Sequence, residues 1–382
     1  MVKKLLPYLI FQALLFGSAM AQTQGNSIAV APAYGIRIFS IERYKMAGNF
    51  YGGEATLQIS MLHDKAAWVR MLHVKDIAFS TAYYQLNQVS LVSRPGSEGI
   101  LGNALSLSAK LGIQLVGIGK TNVLFYPGFG VSYVSQNFQT TGNPLLGSYI
   151  NYNISLGLKL RTPITHNLGL IYGVDISHFS NGALSLPNEG LNTFMASVGI
   201  DQRLGGKGFS SNPHPFKPAG RGSFDFGVSI GRRGLVQSGS GLTGEAASYQ
   251  KQATSHLYNS VFSASYNYRI NPLFSLKAIA DATYSYTKFN PDNFYATFQE
   301  RATSYDRTRV GAGLGVDAWL GRLAIEGGVG HYIHFNSYFN DHWYWSSGAK
   351  LYFNQWLAAE GKIYLHGTEA ELTGYGLLFT VR

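Results

Sequence analysis

The sequence predicts an all-β protein, an antiparallel β-barrel of the outer-membrane kind, and three observations carry the prediction. Apolar and polar residues alternate with period two along most of the chain, the polar faces hold Gly, Ser and Asn in place of charges, and aromatics abound, with 25 Tyr and 23 Phe. Of the 382 residues 46% are hydrophobic and only 13% charged, with 45 glycines and no cysteine. So much apolar side chain excludes a disordered chain. Charge usage near half the usual quarter excludes an ordinary cytosolic enzyme surface. The missing cysteines exclude a disulfide framework and a Cys-ligated metal. No apolar run of about 18 residues occurs in the body of the chain, which excludes helical membrane spans.

The elements follow in order. Lys3 and Lys4, the apolar stretch from Leu5 to Phe16 and the small-x-small Ala19-Met20-Ala21 read as a secretory signal over residues 1–21, with the mature chain starting at Gln22. From Leu105 to Leu115 the odd positions Leu105, Leu107, Ala109, Leu111, Ile113 and Leu115 are apolar, and Ser106, Ser108, Lys110, Gly112 and Gln114 lie between them. Ile150 to Leu160 repeats the pattern on even positions, as do Phe224 to Ile230 and Val310 to Ala318. Outer-membrane strands need about 10 tilted residues, apolar toward lipid and small or polar toward the lumen, with aromatics such as Tyr133 at the interfaces. Closure satisfies every backbone group in lipid, as an open sheet cannot.

About sixteen such segments fit the chain, at roughly 22 residues for each strand with its loop. They divide between residues 22–204 and 223–382 around a Gly/Pro-rich linker, 205–222, of sequence GGKGFSSNPHPFKPAGRG. A weak echo between ISLGLKLRTPITHNLGLIYGVDISH and SSGAKLYFNQWLAAEGKIYLH favours duplication. Tandem eight-stranded barrels are the preferred architecture. The alternative is one barrel of about sixteen strands.

Few motifs carry chemistry. Gly117-Ile118-Gly119-Lys120-Thr121 resembles the end of a phosphate-binding loop, but Gln114 stands where the earlier glycine belongs, and the segment reads as a hairpin turn. His331 and His334 have opposite parity on a strand and are expected to face opposite ways, so with His342 they read as interfacial or loop histidines rather than metal ligands. The formal charge of +10 is not gathered on one element, which excludes nucleic acid as partner and leaves phosphorylated lipid head groups as the plausible anion. From Leu168 to Ser180 the even positions Leu168, Leu170, Tyr172, Val174, Ile176, His178 and Ser180 face lipid. Residues two apart on a strand share a face with Cα atoms about 6.5 to 7 Å apart. His178 therefore stands within side-chain reach of Ser180 as the base that a hydroxyl nucleophile requires.

His178-Phe179-Ser180-Asn181 followed by Pro187-Asn188-Glu189-Gly190 resembles the H-x-S-N and P-N-x-G signature of the outer-membrane lipid A 3-O-deacylases, best from about Val123 to Leu204. The resemblance implies an eight-stranded barrel with a Ser-His-acid site on its membrane-facing surface that removes the ester-linked acyl chain at position 3 of lipid A. Carried over, Ser180 is the nucleophile, His178 the general base and Asn181 the oxyanion-hole candidate. The family's glutamate, two residues after the P-N-x-G glycine, falls on Asn192, which shares outward parity with Phe194, Ala196, Val198 and Ile200. An amide oxygen holds the histidine tautomer without adding charge. Glu189, in the preceding turn, is a substitute acid. The second half lacks the signature: His366, with Thr368 two residues on, occupies the echoing position but is expected to point into the lumen, so this half reads as structural. The expectation is an outer-membrane esterase acting on lipid A in lipopolysaccharide, with no metal or cofactor. The alternative is a non-catalytic barrel, a channel or an anchoring and adhesion module, with a degenerate site.

Overall fold

The computed structural model describes residues 25–39, 45–93, 96–185, 187–204, 220–233, 257–286, 307–336, 342–367 and 369–381. The expected signal over 1–21, most of the expected linker (205–219) and Thr368 lie outside the described residues. Sixteen long strands close into two separate antiparallel barrels of eight. In the first, β1 (Ser27–Phe39), β2 (Phe50–Ser60), β3 (Val74–Gln85), β4 (Asn103–Ile118), β5 (Thr121–Val134), β6 (Ile150–Pro163), β7 (Leu168–Ser180) and β8 (Leu191–Arg203) pair in sequence order, and β8 closes on β1. In the second, β9 (Gly222–Arg233), β10 (Leu257–Arg269), β11 (Phe274–Ser285), β12 (Thr308–Leu320), β13 (Leu323–Phe335), β14 (Trp343–Tyr352), β15 (Leu357–His366) and β16 (Glu369–Val381) do the same, with β16 closing on β9. The tandem arrangement is thus the one adopted. Among the described residues no helix is long and apolar enough to cross a membrane.

The alternation sets each barrel's inside and outside. Leu105, Leu107, Ile154, Leu156, Phe224, Phe226, Leu314 and Val316 are exposed on the outer wall, while Ser106, Asn153, Ser155, Asp225 and Asp317 between them are buried in the lumen. Gly119, at φ +58°, makes the turn between β4 and β5, so the segment resembling a phosphate loop is a hairpin tip. Charge in the lumen is cross-bridged. In the first barrel Lys110 pairs with Glu54, Lys159 with Asp175, and Arg161 with both Asp76 and Asp201 at 3.3 Å. In the second, Lys350 reaches Asp225 at 3.1 Å and Asp317 at 3.0 Å, and Lys277 reaches Glu326 at 2.6 Å. Glycine makes room where the lumen is tightest: a Cβ on Gly112 would stand 2.4 Å from the Asp76 carboxylate. These are filled small barrels.

Each barrel has two unlike ends. In the first, Ser27 pairs with both Arg203 and Gln58, so chain entry and exit share one end with the tight β4–β5 and β6–β7 turns. Segments 86–102, 135–149 and 181–190 connect strands at the other end. There an apolar cluster of Phe50, Tyr84, Leu86, Ile100, Leu101, Val134, Leu145, Leu146, Phe179 and Leu191 closes the mouth. A short helix, α1 (Ala67–Met71), packs Val69 with Met61 and Val74 at the first end. Outer-membrane barrels have short periplasmic turns and longer outer loops, so the ends of β7 and the start of β8 stand at the outer-leaflet side.

One expectation fails here. His331 and His334 do not face opposite ways; both are exposed, while Tyr332 and Phe335 are buried. The ladder between β12 and β13 slips between Val310 and Gly311, so that His334 opposes Val310 and Tyr332 opposes Gly311. A bulge adds one residue and resets the period-two parity, which leaves Ile333 and His334 both outside. His366 is buried with Glu371 as its partner at 3.0 Å, which agrees with the lumen-facing expectation.

Candidate active site

The parity of β7 is fixed from the inside. Phe179 is fully buried with its ring edge-on to Tyr84 at 5.2 Å, and the Ser177 hydroxyl meets the Tyr84 hydroxyl at 3.2 Å. With 177 and 179 locked in the lumen, His178 and Ser180 must leave by the outer wall. Neighbouring strands then set their surroundings. Across β6, His178 faces Ile154 and Ser180 faces Tyr152; across β8, His178 faces Asn192.

That last pairing brings His178 Nδ1 and Asn192 Oδ1 to 2.8 Å. A carboxamide oxygen only accepts, so the imidazole proton sits on Nδ1 and the Nε2 lone pair is left for other work. Asn192, outward by parity, is nevertheless buried. A buried amide oxygen without competing water holds its partner in one tautomer and one orientation.

The turn from Asn181 to Gly190 is braced from within. The Asn181 side chain donates to the Ser185 carbonyl at 2.7 Å and accepts from the Ser185 N–H, while the Asn181 N–H donates to Asn188 Oδ1 at 2.9 Å. Leu184 N–H returns to the Asn181 carbonyl across Gly182 (φ +63°) and Ala183 (φ +64°), the two left-handed residues of a tight turn. Gly190 closes the site: its N–H donates to the Leu145 carbonyl at 3.1 Å, and a Cβ at this position would stand 2.6 Å from His178 Cε1. Its φ of +76° is also one that L side chains rarely adopt.

The arrangement thus joins His178 to Asn192 and sets Ser180 on the same face of the same strand. Asn181 lies in the turn with both ends of its amide engaged by Ser185. Glu189 lies in the turn just ahead of Gly190, but the hydrogen bond on the imidazole Nδ1 goes to Asn192. Asn188 and Gly190 are functional-site residues that the motif contains but whose tasks its spacing does not reveal. The glycine in P-N-x-G was the available signal, because an obligatory glycine marks a positive φ or a close approach. Leu145 carried no signal, being brought in from another loop. Among the described residues no group of three or more His, Cys, Asp or Glu forms a metal site.

Two family models match the chain. "Lipid A 3-O-deacylase (PagL)" matches residues 65–201, and "Acyloxyacyl hydrolase, C-terminal domain" matches residues 222–382. The second covers the half that lacks the H-x-S-N and P-N-x-G signature. No curated protein matches. Among solved structures, the outer membrane enzyme PagL is 20% identical, with a TM-score of 0.30 over 46% of this chain and 98% of that one. Neisserial surface protein A is 10% identical, with a TM-score of 0.33 over 47% and 97%. The Acinetobacter baumannii outer membrane protein Omp33 is 8% identical, with a TM-score of 0.18 over 94% and 100%. By its two barrels and these matches the chain is an outer-membrane protein, similar over residues 65–201 to the lipid A 3-O-deacylase family and over residues 222–382 to the acyloxyacyl hydrolase C-terminal domain.

Proposed function

We propose that the protein is an outer-membrane esterase that hydrolyses an ester-linked acyl chain of lipid A in lipopolysaccharide. Ser180 is the nucleophile, His178 the general base and Asn192 the residue that orients it. The observation that carries the reading is the 2.8 Å contact between His178 Nδ1 and Asn192 Oδ1 on the lipid-facing wall. It engages Nδ1 and leaves Nε2 for the hydroxyl of Ser180, two residues along the same face of the strand.

The reaction divides into two displacements. Nε2 takes the Ser180 hydroxyl proton as Oγ bonds to the ester carbonyl carbon. The carbon–oxygen bond to the sugar then breaks, and the imidazolium returns the proton to the departing sugar oxygen. Water, deprotonated by the same nitrogen, releases the fatty acid from Ser180. Asn181, next to the nucleophile, is assigned the oxyanion side. Because its amide also braces the turn, Asn181→Ala removes both functions together and is the weaker probe. No cofactor enters the scheme.

The test is fatty-acid release from purified lipid A in mixed micelles. Ser180→Ala and His178→Ala are each expected to lower the rate by about 10³-fold or more, and the double variant to lose little beyond either, because nucleophile and base act as one unit. Wild-type rates from Ser180→Ala would refute the site. A well-folded wild type with no activity on lipid A would move the assignment to a non-catalytic anchoring barrel. The cross-bridged lumens already argue against an open channel.

A further inference from the structure

We infer that the periplasmic end of the second barrel carries a docking site for the C-terminus of an extended peptide, with Asn267 and Arg221 reading its last residue. The site is separate from the Ser180 face and does not depend on the deacylase reading. In this barrel β9 begins where β16 ends, since Phe224 pairs with Val381, and the turns 270–273, 321–322 and 353–356 lie at the same end. The connections 234–256 and 286–307 at the other end are much longer. Short turns mark the periplasmic side of such barrels. At this end a recess of about 330 Å³, its open mouth included, is lined by Arg221, Asn267, Arg269, Trp319 and Tyr352 among others.

Most of the wall is committed to its own contacts. The Trp319 ring stands 5.3 Å from Tyr352, and its Nε1 donates to Ser275 Oγ at 2.8 Å. Arg269 lies over Trp319 at 5.0 Å and donates to the Asn271 and Pro272 carbonyls at 3.2 and 2.7 Å. Asp225, the carboxylate of the lining, accepts from the Thr380 hydroxyl at 2.7 Å and from Lys350 at 3.1 Å, so both its oxygens are engaged and its charge is met. Asn267 differs from all of these. It is only 4% exposed, and neither Nδ2 nor Oδ1 has a hydrogen-bond partner among the described residues. At the rim Arg221 is exposed, and its side chain enters no ion pair among the described residues.

The unpaired amide says what the recess holds. A side-chain amide presents a donor and an acceptor side by side, and burying both without partners is costly. Its complement must offer an acceptor and a donor side by side, which a phosphate or sulfate ion does not. In an extended peptide the N–H and the carbonyl oxygen of one residue point the same way. At the last residue that oxygen belongs to a carboxylate, whose second oxygen suits a guanidinium. Asn267 Nδ2 then donates to one carboxylate oxygen, Asn267 Oδ1 accepts the N–H of the same residue, and Arg221 donates to the other oxygen. The inner end of the recess admits little more than such a terminal group, while the open mouth lets the rest of the peptide run out past the turns.

The experiment uses the full chain in dodecyl maltoside micelles, with N-acetyl-alanyl-alanine as probe and saturation-transfer NMR as readout. The probe has no ester, so it reports on this recess and is not a deacylase substrate. Wild type is expected to bind it about tenfold more tightly than its C-terminal amide, the ratio that loss of a charge-assisted hydrogen bond produces. Asn267→Leu is expected to weaken binding about tenfold and to keep the heat-dependent gel shift, since an apolar side chain of similar size replaces an unpaired buried amide. Arg221→Gln, an exposed change ahead of β9, is expected to weaken binding about fivefold, and it decides alone if Asn267→Leu loses the gel shift. Wild type without saturable binding, or folded variants that bind as wild type does, would overturn the inference. Equal binding of the C-terminal amide would overturn the carboxylate assignment, and free alanine binding as tightly as the dipeptide would overturn the peptide.

Discussion

At the scale of single residues, the proposed site puts Asn192 where the resembled family would carry a glutamate, and this separates orienting the base from stabilising its charge. The amide oxygen orients His178 through its 2.8 Å bond, yet it offers no negative charge to the imidazolium that forms during attack. A hydrogen bond to a charged partner is worth about 1.5–3 kcal/mol and a neutral one about 0.5–1.5. Asn192→Glu should therefore raise kcat by about tenfold, the equivalent of about 1.4 kcal/mol. Asn192→Leu should lower it, because the ring loses its tautomer lock and the imidazole Nδ1 loses its partner. Glu189→Gln should leave kcat within about twofold, since the hydrogen bond on the imidazole Nδ1 goes to Asn192. Initial rates on lipid A at one pH decide all three. A large loss from Glu189→Gln with none from Asn192→Leu would transfer the orienting role to the glutamate.

At the scale of elements, the strand β7 and the turn after it divide what was legible from what was not. Period-two alternation placed His178 and Ser180 outside, and the lumen contacts of Ser177 and Phe179 bear this out. The same rule misplaced His334, because a parity argument assumes an unbroken ladder and the bulge between Val310 and Gly311 breaks it. The turn was harder still. Its bracing by Asn181, Asn188 and Ser185 is local but irregular, and the Leu145 carbonyl that holds Gly190 comes from a loop 45 residues earlier in the chain. No periodicity encodes such a contact. Gly190 nevertheless yields a sharp expectation. A methyl group 2.6 Å from His178 Cε1 must push the ring or the turn aside, and a displacement near 1 Å can cost about 10² in rate. Gly190→Ala should thus lower kcat by about that factor while leaving the heat-modifiable gel shift of the folded barrel intact. Unchanged kcat would show that the ring has room the geometry does not give it.

At the scale of the whole molecule, sixteen strands could have closed once or twice, and the lumen chemistry shows why two closures work. An eight-stranded barrel is just wide enough for its own side chains to fill. Here the inward Lys, Arg, Asp and Glu reach one another across each lumen, with Lys350 wholly buried between Asp225 on β9 and Asp317 on β12. A barrel of sixteen would have drawn these partners apart and let water in. Breaking such a pair leaves a buried charge uncompensated, at a cost of about 3–5 kcal/mol. Lys350→Met should accordingly lower the temperature at which the unboiled form of the second barrel is lost on detergent gels, and Lys350→Met with Asp317→Asn should recover part of it. Each barrel also completes its own ladder, β1 to β8 and β9 to β16, with no strand borrowed from the other. Residues 22–204 and 223–382, expressed apart, should therefore each refold in detergent with strong β circular dichroism and a heat-dependent gel shift. Deacylase activity should follow the first fragment, because Ser180, His178 and Asn192 all stand on β7 and β8. Fragments that fold only when mixed would show that one closure depends on the other.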